Sequence, residues 1–184
     1  AYSSKEGILF NKSGKILLKC PEGKTGTCAI AKGVTTIDGN AFRNCALLTA
    51  ISIPEGITAI GTHAFSHCVG LTEITLPEST ATIADYAFNS CTGLTAFIIP
   101  KAVTAIGAFA FAACSTLKDV TIGENVATIG SETFRDCKNL TTVKVLGKGI
   151  PEATDVFNNS PATVYYQPGA QGWGTFWNGK PLKP

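Results

Sequence analysis

Phenylalanine recurs at Phe42, Phe65, Phe88, Phe111, Phe134 and Phe157, each 23 residues after the last. Three residues after each of the first five stands a cysteine: Cys45, Cys68, Cys91, Cys114 and Cys137. Six coils in register, without insertion or deletion, predict a solenoid and not a globule around one central core. Each coil then contacts only its neighbours, and the 184 residues form a stack of ribbons within one domain.

Aligned by this period, the columns separate inside from outside. One column is always isoleucine: Ile37, Ile60, Ile83, Ile106 and Ile129. Others hold Ala41, Ala64, Ala87, Ala110 and Thr133 before the phenylalanines, and Leu48, Leu71, Leu94, Leu117 and Leu140 after the cysteines. Thr80 and Thr133 are polar interruptions of apolar columns. Leu71-Thr-Glu-Ile74-Thr-Leu76 ends in strict alternation, which predicts a short strand with Ile74 and Leu76 inward. Ala64, Phe65 and Cys68 stand at i, i+1 and i+4, the spacing of one face of a helical turn. The column before them, Asp38, Gly61, Ala84, Gly107 and Gly130, is mostly small and permits close packing.

Strands stacked about 4.8 Å apart give a parallel sheet. The thicker helical side then bends the stack so that the strands line its concave face. The expected fold is an α/β solenoid, a right-handed superhelix with a concave parallel β-sheet and short helical turns on the convex side. Five regular coils cover residues 34–148. Residues 1–33 are read as an amino-terminal capping hairpin with a degenerate first coil. Residues 149–184 are read as a degenerate last coil with an aromatic carboxy-terminal cap. In that last coil Ser160 takes the cysteine column, Glu152 the isoleucine column and Thr163 the leucine column. Trp173, Phe176 and Trp177 are expected to fold back over the end of the core.

The segment Leu71-x-x-Ile74-x-Leu76 fits the leucine-rich-repeat pattern. The remainder of the coil, Pro77 … Ile83-x-x-x-Ala87-Phe88-x-x-Cys91, resembles the 23-residue repeats of the BspA-like bacterial surface-antigen family. Gly7-Ile-Leu-Phe10 and Val164-Tyr-Tyr166 … Trp173 are similar to the two ends of such proteins. The resemblance implies a leucine-rich-repeat superhelix, an extracellular or cell-surface location and, often, adhesion. It names no ligand, because repeats of this kind carry shape more than chemistry.

Charged residues make up 15% of the chain and the formal net charge is +2. Neither figure supports nucleic-acid binding, which needs clustered Lys and Arg on one face, and none is expected. No apolar run approaches the roughly 20 residues of a membrane span. No cofactor is expected, and a monomer is.

Cysteines 23 apart along one column have parallel Cβ vectors, so neither a disulfide nor a zinc site is expected of them. Small buried thiols suit such a slot. Cys28 falls in the column of Ile51, and Cys20 shares a strand face with Ile16 and Leu18. These two thiols are read as packed, with a bridge between them as the alternative. His63 and His67 stand at i, i+4, but no third ligand accompanies them and solvated side chains are expected. No catalytic constellation is present, and the chain is read as a non-enzyme.

Two surfaces remain. The concave strand face presents Thr72, Glu73, Thr75, Ile98, Lys118, Asp119, Thr121, Thr142 and Lys144, a shallow groove for an extended protein or glycan. Threonine also simply suits strands. On the convex face His63, Tyr86 and Phe109 occupy one outward column and offer ring surface to a partner. The functional expectation is a non-catalytic binding module using its concave face. The alternative is a structural spacer within a larger surface protein.

Overall fold

The computed structural model describes residues 2–150, 153–174 and 176–184. Three strands open the chain as an antiparallel meander: β1 (Tyr2–Lys5), β2 (Ile8–Asn11) and β3 (Ile16–Lys19). Two strand series then alternate. The first comprises β4 (Gly26–Ala29), β6 (Leu48–Ser52), β8 (Glu73–Thr75), β10 (Ala96–Ile98), β12 (Asp119–Ile122), β14 (Thr142–Val145) and β15 (Thr163–Tyr166). The second comprises β5 (Thr36–Ile37), β7 (Ala59–Ile60), β9 (Thr82–Ile83), β11 (Ala105–Ile106) and β13 (Thr128–Ile129). A closing hairpin joins β16 (Phe176–Trp177) to β17 (Lys180–Lys183), and β17 lies parallel to β15.

Each series stacks on itself in parallel. Ile37 pairs with Ile60, Ile60 with Ile83, and Ile106 with Ile129, one repeat apart. The invariant isoleucine column is thus a strand in a sheet of its own, which continues from the amino-terminal meander. On the other side, Ile51 pairs with Ile74 and Phe97 with Val120. The last coil is shorter: Val164 pairs with Val143, 21 residues away. Thr163 therefore sits beside Thr142, outside the leucine column, and Ala162 is the buried residue there. Glu152 lies outside the described residues, as does the side chain of Phe176.

The helical turns do not form; no helix occurs among the described residues. Ala64, Phe65 and Cys68 instead lie on successive tight turns. The N–H groups of Ala64, Ser66 and Cys68 turn back to Gly61, His63 and Phe65 at 3.1, 3.1 and 3.2 Å. The alternate N–H groups, those of His63, Phe65 and His67, leave the coil and donate to Asp85, Ala87 and Asn89 at 3.0, 2.7 and 2.8 Å. A helix would direct every N–H along its own axis, i to i−4. Here two residues per coil adopt left-handed φ, 57° at His63 and 61° at His67, and break any helical run. An apolar spacing of i, i+1, i+4 serves both geometries, which is why it misleads.

The core is a set of ladders. The six phenylalanine rings stack nearly parallel, with successive centroids 5.1, 5.0, 5.2, 5.5 and 5.6 Å apart. The last ring, Phe157, meets the edge of Trp177 at 5.6 Å, and Trp177 meets Trp173 at 5.7 Å. Thr80 and Thr133 are buried, and their hydroxyls donate to the carbonyls of Ile57 and Gly130. Hydrogen bonding makes those two polar residues tolerable inside. The small column beside the turns answers to a close backbone approach: a Cβ on Gly61 would stand 2.6 Å from Gly39 N. Leu76 is buried, whereas Ile74 is only half buried.

Phe88 is fully buried between Phe65 and Phe111. Phe88→Ala should lower unfolding free energy by about 3–5 kcal/mol in chemical denaturation, the cost of emptying such a site. A midpoint equal to wild type would contradict the stacked register.

Candidate functional site

The outward residues of the first strand series form one surface. Ala50 is in register with Glu73, and Ser52 with Thr75. Further along, Asp119 pairs with Thr142, and Ile98 with Thr121, which in turn pairs with Lys144. Thr72, Glu73, Thr75, Ile98, Lys118, Asp119 and Lys144 are exposed, while Thr121 and Thr142 are half buried. All nine lie on the strand face, but not on one continuous sheet. The series divides into a three-stranded sheet ending at β8 and a six-stranded sheet beginning at β10.

The break coincides with the one aromatic residue in its column, Phe97. Its ring packs obliquely on Phe88 at 4.9 Å and edge-on to Phe111 at 4.7 Å. An isoleucine or valine fills this position in the other regular coils. Beside the break Ile74 is partly uncovered and Ile98 is 69% exposed. Nothing in the 23-residue pattern marks this interruption; only the volume of Phe97 hints at it.

A depression of about 550 Å³ opens on the three-stranded part. Its floor holds Ile51, Ile74 and Leu76, its polar walls Thr27, Ser52 and Thr75, and its rim the carboxylates of Glu55, Glu73 and Glu78. None of the ion pairs formed among the described residues involves those carboxylates. Of the expected groove residues, Glu73 and Thr75 line this depression; Thr72, Ile98, Lys118, Asp119, Thr121, Thr142 and Lys144 do not. Glu55 and Glu78 come from the loops after the strands, and Thr27 from the irregular first coil, where the repeat alignment is weakest. Charge on the strand face is therefore acidic over the early coils and mixed over the later ones.

On the turned side His63 stacks on Tyr86 at 4.6 Å, and Tyr86 on Phe109 at 4.8 Å. All three are half buried and all have left-handed backbone, φ 57°, 56° and 56°. The ring faces are turned on one another, so the column presents mainly ring edges to solvent. His63 Nδ1 is buried without a hydrogen-bond partner. Burial, and then the charges of Arg43 and His67, push the His63 pKa below its ordinary value, with Asp85 opposing.

The five column cysteines are buried free thiols. Cys68, Cys91, Cys114 and Cys137 each donate to the phenylalanine carbonyl of the preceding coil at 3.1 Å. Ser160 makes the same bond to Phe134. Cys20 is buried although Ile16 and Leu18 are half exposed; Leu17 is the inward residue of β3, and Cys20 lies beyond the strand end. Cys28 pairs with Ile51 on the inward side. Among the described residues no three His, Cys, Asp or Glu side chains are grouped to hold a metal ion. No helix among them is long and apolar enough to cross a membrane.

A family model described as BspA type leucine-rich repeat region matches residues 27–162 in 6 copies. The pneumococcal vaccine antigen PcpA shares the fold with a TM-score of 0.76 at 22% identity; the match covers 99% of this chain and 47% of that one. A leucine-rich cell surface protein from Faecalibacterium prausnitzii superposes with a TM-score of 0.75 at 28% identity, covering 78% of this chain and 39% of its own. A leucine-rich repeat protein from T. pallidum gives 0.68 at 24% identity, covering 90% and 83%. The chain thus spans less than half of two of these structures. No curated protein matches it.

The depressed pKa of His63 makes stability depend on pH with a definite sign. Above the unfolded value of about 6.5 the ring is neutral in both states and costs nothing. As pH falls through that value the unfolded chain binds the proton more readily, and folding loses free energy. Between pH 7 and pH 5, His63→Tyr should lose less stability than wild type, because the titrating ring is gone and the stack remains. Identical pH profiles from denaturant titrations would contradict this reading.

Proposed function

The chain belongs to the family of BspA-type leucine-rich repeat regions, and on that premise we propose that it is a non-catalytic binding module, secreted or displayed at the cell surface. Its strand face, the concave side of a right-handed superhelix, contacts a protein or glycan. The observation that carries this is the depression on β4, β6 and β8, with an apolar floor and a rim of carboxylates and hydroxyls. Pockets of this size with a few convergent polar groups suit ligand capture. The location is supported by the similarity to proteins described as a pneumococcal vaccine antigen and a cell surface protein. The rigid parallel stack supports multipoint contact, since its side chains are held at fixed spacing and little ordering is required on binding.

The site within that face is centred on Glu73 and Thr75. Lys118, Asp119, Thr121, Thr142 and Lys144 extend it beyond the break, with Thr72 and Ile98 between, and His63, Tyr86 and Phe109 contribute a secondary contact. The second reading, a spacer that projects other domains, draws on the fact that the chain spans 47% and 39% of two longer neighbours.

The immobilised chain tests both. Extracellular proteins and glycan arrays are passed over it, and each captured partner is titrated against Ser52→Arg/Thr75→Arg and against Lys118→Ala/Asp119→Ala. The first pair should weaken binding by about tenfold or more, as central contacts do, with an unchanged melting temperature. The second pair should weaken it less. A partner insensitive to both pairs removes the strand face as the site. A chain that retains no partner leaves the spacer as the reading that stands.

A further inference from the structure

The first coil breaks the rule that the others follow. In every regular coil a phenylalanine ring reaches across the core from the turned side; Phe88 and Phe111, for example, touch Phe97 on the strand. Backbone bonding shows which residue replaces that phenylalanine in the first coil. Phe42 N–H donates to Ala64 and Phe65 N–H to Ala87; the corresponding donor to Ala41 is Cys20, at 2.7 Å. Opposite it, Cys28 holds the strand column through its pairing with Ile51. Two thiols therefore face each other across the core where other coils place a ring against a strand residue.

Both are buried, Cys20 at 0% and Cys28 at 3% exposure. Both are free thiols; that of Cys20 donates to the carbonyl of Pro21 at 3.8 Å, and the thiols of Cys28 and Cys45 lie near enough to act on its pKa. Cys45 also has carbonyl acceptors of its own. Its thiol points to the carbonyls of Cys20 and Pro21, at 3.9 and 3.6 Å, as the other column thiols point to the preceding coil. Cys28 donates to no carbonyl among the described residues, and the neighbour that acts most on its pKa is the Cys20 thiol. The segment between them, residues 21–27, is largely exposed and includes Gly23 and Gly26, the latter at φ 70°. It can adjust to the sulfur–sulfur geometry that a bridge demands.

We propose that Cys20 and Cys28 form a disulfide across the first coil when the chain folds in an oxidising milieu. The oxidant is a disulfide of the glutathione class or of a protein exchange catalyst. The thiolate of one cysteine attacks the donor disulfide, forming a mixed disulfide and releasing one donor thiolate. The second cysteine thiolate attacks the protein-side sulfur of that mixed disulfide and releases the other. The two cysteine protons end on the two donor thiols, so the donor is reduced as the bridge forms. In the folded chain the neighbouring Cys28 thiol lowers the Cys20 pKa, but the Cys45 thiol and burial outweigh this and push it up to about 12. The neighbouring Cys20 thiol and burial push Cys28 up as well. Thiolate is then scarce, so exchange belongs to the folding chain or to opening of residues 21–27. The bridge replaces a missing ring contact by a covalent one and fixes β4, the first strand under the depression.

The full chain is reduced, unfolded and refolded with a mixture of glutathione and its disulfide. Free thiols are then alkylated in denaturant, and the protein is digested with trypsin. Cleavage after Lys19, Lys24 and Lys32 separates Cys20 in peptide 20–24 from Cys28 in peptide 25–32; Cys45 falls in peptide 44–101. The expected result is a species joining 20–24 to 25–32, split by reductant, with the five other cysteines alkylated. Recovery of both peptides alkylated, or of 20–24 joined to 44–101, would overturn the proposal. Melting supplies a second reading. Oxidised wild type should melt above its reduced form, and in Cys28→Ser the two treatments should coincide. Coincident melting of oxidised and reduced wild type would also refute the staple.

Discussion

The structure depends on backbone hydrogen bonds that leave one coil and enter the next on the turned side as well as in the sheets. There every second N–H crosses to the following coil, as from His63, Phe65 and His67 to Asp85, Ala87 and Asn89. With two parallel strand series, this ties successive coils together on several sides. The spacing of coils is then fixed by backbone geometry, and every side chain must stack on its own counterpart. Flat rings can stack at 5.0–5.6 Å, as the phenylalanines do. Small thiols fit the remaining space and also donate to a carbonyl of the coil before. That second role explains why serine can follow cysteine at position 160: the bond to Phe134 is kept. The column thus asks for a small donor, not for sulfur chemistry.

The same geometry imposes a local cost. Each regular coil carries two left-handed residues, and several are types that resist it: Tyr86, Phe109, Ala113 and Glu132. Left-handed φ is unfavourable for bulky side chains by about 1–3 kcal/mol. It persists because the inter-coil bonds leave those residues no alternative. The stack of His63, Tyr86 and Phe109 offsets part of this strain by packing ring on ring. A structural account of that aromatic column is therefore at hand without any partner.

The ladders could be read from the sequence because a strict period converts one dimension into three. Once Phe42 and Phe65 are known to be equivalent, they must lie over each other, and the invariant isoleucines likewise. What the period could not give was the conformation within a coil. The spacing of Ala64, Phe65 and Cys68 fits a helix, yet the chain makes tight turns; the signal lay in Asn40, Asn44, His63, His67 and Asp136, residue types that tolerate left-handed φ. The second strand series was hidden for the opposite reason. Two residues per strand, such as Thr82–Ile83, are too few to show alternation. On the strand face, alternation marks the outward residues but not the depression, because loops and the irregular first coil build most of its rim.

A repeat makes its coils alike, so discrimination between partners must come from where the repeat fails. Two failures border the depression. At β8 the sheet stops, and the next strand, which carries Phe97 and Ile98, belongs to another sheet. At β4 the strand register shifts between Gly26 and Thr27, and no phenylalanine lies behind it. Cys28 belongs both to the lining of the depression and to the thiol pair that replaces the ring. The strand that forms one wall of the groove is therefore held by the least regular packing in the stack. Whatever stiffens Cys20 against Cys28 also sets how firmly Thr27 and Ala29 are presented, since all four residues ride on the same short segment of backbone.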